Sequence, residues 1–195
     1  MAEIELPKPD ELEELRDKAF TRRVALTTAV FAVLLAITSL GGNNAMKEML
    51  LSQQQASDQW AFYQSKNIRE LIYRTNSLRM EAELIERGPS MKPEARKRYE
   101  ALMHEMRSEQ ARYQEEKKKI EEEAKELEGH RDRNRAKDPY FDYAEVLLQI
   151  SIVMASIAIL SLSGPLYYFA IASASLGTAF MLNGYFLIFR VPFFH

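Results

Sequence analysis

Apolar and polar residues along this chain separate into long blocks. From Val24 to Leu40 the sequence reads VALTTAVFAVLLAITSL, 17 residues without a charge. A second block, Ala144 to Phe189, carries Glu145 as its single charge and is punctuated once, at Ser163-Gly164-Pro165. Glycine ends a helix at little cost and proline opens the next in its first turn, so this block predicts two helices, about 144–162 and 166–189. About 17 residues is the lower limit for crossing a hydrocarbon core of about 30 Å, and Ala19-Phe20 extends the first block. No small-residue cleavage pattern directly follows a short apolar core, which favours an uncleaved anchor over a signal peptide. Tyr140, Phe141 and Tyr143, then Tyr185, Phe186, Phe189, Phe193 and Phe194, gather where the spans should meet water, the depth that amphipathic rings prefer.

The stretch between the blocks is highly charged. Residues 44–143 hold 20 Lys/Arg and 20 Asp/Glu, and their helical composition is broken once, at residues 88–93 (GPSMKP). The segments on either side, about 45–87 and 93–136, would each be roughly 65 Å long as continuous helices. The second has coiled-coil spacing at Ala95, Tyr99, Leu102, Met106, Glu109, Tyr113, Glu116, Ile120, Ala124 and Leu127. A looser seam runs through the first: Met49, Gln53, Ala56, Trp60, Tyr63, Asn67, Leu71, Arg74, Leu78, Ala82 and Ile85. Folded at the glycine-proline turn, positions summing to about 180 face each other. Ile120 then meets Trp60, Leu102 meets Leu78, and Ala95 meets Ile85. Gln53, Asn67, Arg74, Glu109 and Glu116 are polar seam members, which lower stability and fix register or partner number.

These patterns define an all-α integral membrane protein with three transmembrane helices and a long antiparallel, coiled-coil-like hairpin. Residues 1–23 form a tail, 24–43 the first span, 44–137 the extramembrane hairpin, and 138–195 the second and third spans. Asp10 and Glu13 have capping-box spacing, with Leu12, Leu15 and Ala19 on one face, which suggests a short helix lying on the membrane. Ser151 and Ala155, Ala170 and Ala174, and Ser173 and Gly177 place small residues four apart, a spacing that lets spans approach closely. Gln149 and Asn183 are the strongly polar intramembrane side chains, read first as packing devices that bond across helices.

Composition narrows the chemistry. Across 195 residues, 26 Lys/Arg against 28 Asp/Glu leave a net charge of −2, which argues against a nucleic-acid partner. There is no cysteine, which excludes disulfides, thiolate metal sites and a cysteine nucleophile. The histidines are His104, His130 and His195, and none has a metal-ligand spacing such as Glu-x-x-His or HExxH. No P-loop or GxSxG pattern occurs. The expectation is therefore a non-enzyme with no catalytic residue, no metal and no cofactor. The basic cluster Arg131, Arg133, Arg135 and Lys137 precedes the second span, where it reads as an interface anchor or a lipid-headgroup contact.

Residues 55–69 read QASDQWAFYQSKNIR. This resembles a family of bacterial membrane proteins defined as a domain of unknown function, with an N-terminal anchor, a QASDxWAxYQxKxI motif, a helical middle and two C-terminal spans. The motif positions here include Ser57, Asp58, Trp60, Tyr63, Gln64 and Lys66. The resemblance implies fold and membrane location and brings no catalytic residue. Trp60 and Tyr63 lie one turn apart, and such a stripe reads as packing between stalk helices before it reads as a ligand site.

Function follows only as an expectation. It is a membrane-anchored scaffold or interaction protein, homo-oligomeric or with a membrane-protein partner, in the lipid bilayer of the bacterial inner (cytoplasmic) membrane. The alternative is an accessory or pore-forming subunit of a transport complex. Arg16, Lys18, Arg22 and Arg23 precede the first span and only Lys47 follows closely, which places the N-terminus in the cytoplasm. Lys125, the 131–137 cluster and Arg190 oppose that orientation, although a loop of about 100 residues lies beyond the roughly 60-residue limit within which loop charges count.

Overall fold

The computed structural model describes residues 9–189, and every regular element among them is helical. Helix α1 covers Pro9–Arg87, a 3-10 turn covers Gly88–Ser90, and α2 (Pro93–Arg135), α3 (Asp138–Ser161) and α4 (Gly164–Phe186) follow. Three helical stretches are long and apolar enough to cross a membrane. The chain divides into two compact units, one holding residues up to Glu48 and from Arg133 onward, the other Met49–Asp132. Arg190, His195 and the side chain of Asp10 lie outside the described residues.

In the first unit, small residues let helices approach. Ala144, Ser151, Ala155 and Ala158 of α3 are buried, as are Ala170, Ser173, Ala174 and Gly177 of α4. A Cβ added at Gly177 would sit 3.2 Å from the Ala144 carbonyl oxygen. Ser151 and Ser173 both donate to the Leu147 carbonyl, at 2.7 and 3.0 Å. Val24 and Phe31 of α1 complete this core beside Leu148 and Tyr167. Close contact of this kind between small side chains gains dispersion energy.

The second cluster of the same unit is built around one ring. Phe141 packs edge-on to Tyr185, with centroids 5.0 Å apart. A Cβ at Gly41 would come within 2.6 Å of that ring and of the Tyr185 hydroxyl, and one at Gly184 within 3.1 Å of the ring. The Gly41-Gly42-Asn43-Asn44 run therefore breaks nothing. It lies inside the unbroken α1, and its first glycine supplies the space Phe141 fills. Residues 9–23 likewise form the first turns of α1 rather than a separate helix, with Leu12 and Leu15 exposed.

Both turns correct the expectation of a glycine terminator. No described glycine has a positive φ. Proline decides the matter at each site. Pro165 occupies the opening positions of α4 and leaves Gly164 inside its first turn, so the reversal falls on Leu162, left-handed at φ 48°. At the hairpin tip Pro89 does the same within the 3-10 turn, which Gly88 opens.

In the second unit, α1 and α2 pair antiparallel, and the register differs from the one expected. Arg131 reaches Gln53, Trp60 reaches Glu128, Tyr73 stacks on Tyr113, and Arg107 reaches Glu81. Including Lys66 with Glu116 and Tyr99 with Glu83, facing positions thus sum to 182–188 rather than about 180. The residues of the expected pairs Leu102 with Leu78 and Ala95 with Ile85 are all exposed rather than covered by the seam. On α1 the covered positions run Met49, Ser52, Ala56, Gln59, Tyr63, Lys66, Glu70, Tyr73, Ser77, Met80, Leu84. This strict alternation of threes and fours meets the expected seam at Met49, Ala56 and Tyr63 and falls one or two residues short of it elsewhere, including every position after Tyr63. Covered positions on α2 agree with expectation at Tyr99, Met106, Tyr113, Ile120, Ala124 and Leu127.

The Phe141 contact gives the first prediction. Gly41→Ala should destabilise the protein by roughly 1–3 kcal/mol through overpacking, read as a lowered thermal midpoint in detergent. Gly129→Ala, whose Cβ would meet nothing within 4 Å, should leave that midpoint unchanged or raise it. Equal effects of the two would contradict the packing argument.

Candidate functional site

The 55–69 motif lies wholly on α1 within the hairpin, and the helix divides it between two faces. Trp60, Tyr63 and Lys66 face α2, whereas Ser57, Asp58 and Gln64 are exposed. Helical geometry enforces this split, because positions three and four apart share a face while immediate neighbours diverge by about 100°.

Trp60 donates its indole N–H to Glu128 Oε1 at 3.1 Å and meets Tyr63 edge to face at 5.5 Å. Lys66, with a side chain 16 % exposed, donates to Glu116 Oε2 at 2.5 Å. Its ammonium also lies 5.3 Å from the centre of the Tyr113 ring. One turn further along α1, Glu70 pairs with Lys117 at 2.6 Å, and that ammonium lies 5.4 Å from the Tyr63 ring. These crossed pairs with interleaved aromatic rings make a polar seam whose partners are mutually neutralised. Each cation has both a carboxylate and a ring face as partners.

Electrostatics match the geometry. The hydrogen bond from Lys66, helped by its charge and that of Arg112, holds the Glu116 carboxyl below its ordinary value of 4.5. Near the tip, Tyr99 donates to Glu83, which lowers the Glu83 carboxyl and raises the Tyr99 phenol above its ordinary 10.0. On the outer side of the motif, Gln54 donates to Asp58 Oδ1 at 3.1 Å along the same helix.

The remaining sequence candidates are dispersed. Arg131 bonds Asp132 at 2.8 Å and Gln53 at 3.1 Å. Arg133 and Arg135 occupy the last turn of α2, where positive charge complements the helix dipole, and Lys137 stands at the N-cap position of α3 without a side-chain capping bond. Neither Gln149 nor Asn183 bonds across helices. Asn183 closes the end of its own helix, donating to Phe189 O at 2.8 Å and accepting from Phe189 N at 2.9 Å. Gln149 is exposed and donates to Glu145 Oε1 at 3.4 Å on its own helix. That carboxylate also accepts from Ser39 of α1 at 2.9 Å, a contact that sequence reasoning missed. The signal was present, because a lone acid at the edge of an apolar block needs a polar partner.

His104 is exposed, and His130 lines a cavity of about 330 Å3 with Gln59, Glu123, Glu126 and Leu127. Among the described residues no group of three His, Asp or Glu side chains could hold a metal ion.

An all-helical chain with a folded-back charged hairpin and three apolar stretches is the class of protein that results. It belongs to the family described as a domain of unknown function, DUF4337, which matches residues 20–187. No curated protein and no solved structure matches it.

The shifted carboxyls make hairpin stability pH-dependent. Because Glu116 and Glu83 are held below 4.5, their interactions are intact above that value and are lost as acidification passes through the lowered values. Tyr99 acts oppositely, stabilising below 10.0 and ceasing to do so as pH rises through its raised value. Helix melting of the full-length protein followed by circular dichroism should weaken from about pH 5 to about pH 3, and Glu116→Gln should flatten that acid limb. A variant as acid-sensitive as the native chain would show that this pair does not carry the effect.

Proposed function

We propose that this chain is a membrane-anchored interaction protein of the bacterial inner membrane, crossing it three times and holding partners through the outer face of its hairpin. One observation carries the reading. Ile68, Leu71, Ile72, Leu78 and Ile85 form an apolar stripe on α1 with side chains 53–76 % exposed, while the seam against α2 is polar. Burying each such side chain fully is worth about 1.5–3 kcal/mol, so a bare stripe of this length favours a helix laid against it. The exposed motif residues Ser57, Asp58 and Gln64 lie on the same face and add polar groups that can select the partner. A second copy of the chain is the first partner to consider, and another membrane protein the second. A transport role has less support. It would rest on intramembrane amides, and both hydrogen-bonding ends of Asn183 are already satisfied by Phe189.

The triple variant Leu71→Ser/Leu78→Ser/Ile85→Ser should retain its helix content, because none of these side chains touches the seam. It should lose oligomer mass by light scattering in mild detergent, or lose the proteins that co-purify with the native chain. An unchanged mass together with an unchanged set of companions would sink the reading.

The basic residues before the first span put the N-terminus in the cytoplasm and the hairpin outside. Ser90 is exposed at the hairpin tip, and the native chain has no cysteine to confuse a label. Ser90→Cys in intact cells should react with a membrane-impermeant thiol reagent. Protection until lysis would reverse the orientation.

A further inference from the structure

Between Val24 and Leu40, Ala144 and Leu162, and Leu166 and Phe186, only one exposed side chain carries an amide or a charge, and it is Gln149. The exposed serines on these helices satisfy themselves: Ser156, Ser161 and Ser175 each donate to the carbonyl four residues back, at 2.8 Å. Gln149 does not. It is the twelfth of the 24 residues of α3, and one of its N–H groups makes the long 3.4 Å contact to Glu145. An amide has two donors and an acceptor with two lone pairs, so most of its capacity points outward. In hydrocarbon that capacity has no solvent partner.

From these observations we infer that α3 is a self-association surface, on which two copies of the chain pair side by side through Gln149. The inference rests on the membrane placement proposed above. The occupant follows from depth and chemistry. Whatever covers Gln149 must offer both a donor and an acceptor at the same level of the bilayer. A second copy inserted the same way presents its own Gln149 at that level, and an amide is complementary to itself. The surrounding face fits a parallel helix pair. Val146, Gln149, Val153, Ser156 and Leu160 are all exposed and follow one another at alternating spacings of three and four, the arrangement that keeps one seam in contact between two helices. Glu145, held by Ser39, fixes one amide hydrogen and leaves the carbonyl and second N–H for the partner.

Cross-linking of the full-length protein in lipid vesicles tests this. Val153→Cys lies on the proposed face, and Leu176→Cys is an equally exposed position on α4. Mild oxidation should yield a covalent dimer from the first and little from the second. Adding Gln149→Leu to Val153→Cys should lower the yield about five-fold, the scale of one interhelical polar contact, whereas Gln149→Asn should retain most of it. Equal yields from Val153→Cys and Leu176→Cys, or an unchanged yield with Gln149→Leu, would overturn the proposal. The hairpin triple variant separates the two readings: loss of partners with cross-linking intact leaves this inference standing, and retained partners with cross-linking lost leaves the other.

Discussion

A helix without a break cannot change which side chains it turns toward a neighbour, and between Met49 and Leu84 α1 has no break. Its contact with α2 begins at Met49, Ser52 and Ala56 and must then continue at steps of three and four. Those steps bring Lys66, Glu70, Tyr73 and Ser77 into the seam and carry Leu71, Leu78 and Ile85 out of it. A one-residue slip would put leucines inside, but only with a bulge that forfeits backbone hydrogen bonds in mid-helix. Register continuity outweighs side-chain preference here. The partner helix answers with Glu116, Lys117 and Tyr113 at the matching heights.

The other unit obeys a different rule, because its apolar stretches carry apolar side chains on every face and hydrophobicity selects none of them. Small residues decide which faces meet. Gly177 against the Ala144 carbonyl and Gly41 against Phe141 are places where a single methyl group would separate the helices. Hydroxyls then fix the arrangement by bonding carbonyls, as Ser173 does to Leu147 and Tyr185 does to Ile37 at 3.1 Å. Such bonds matter more to geometry than to net energy, since the unassembled helices can find partners of their own.

This contrast explains what was legible in the sequence. Charge blocks and proline positions are one-dimensional signals, so the helices and the turns at 88–93 and 163–165 could be read directly. The α2 seam was legible because its apolar residues coincide with its covered positions, at Tyr113, Ile120 and Ala124. On α1 the two properties separate after Tyr63, and reading the strongest apolar period selected the face turned away from α2. The role of the glycines at 41 and 42 was not legible, because only the folded chain brings Phe141 beside them. That Glu145 needs a polar partner was legible, but that Ser39, 106 positions away, supplies it was not. At the motif, spacing identified Trp60 and Tyr63 as a stripe, but the split between its seam half and its exposed half depended on a register the sequence left open.

The polar seam also bears on what the hairpin can do alone. Ion pairs near a surface contribute about 0–1 kcal/mol each, and pairing a largely covered charge mainly offsets its loss of water. The pairs Lys66 with Glu116 and Glu70 with Lys117 therefore specify alignment more than they add stability. Apolar burial in the hairpin is concentrated at Ala56, Tyr113, Ile120 and Ala124, two of which are alanines with little area to bury. Five large aliphatic side chains of α1, Ile68, Leu71, Ile72, Leu78 and Ile85, are exposed. A two-helix hairpin arranged in this way fixes its own register through paired polar groups and leaves a long aliphatic stripe uncovered, so alignment rather than apolar burial is what its seam supplies.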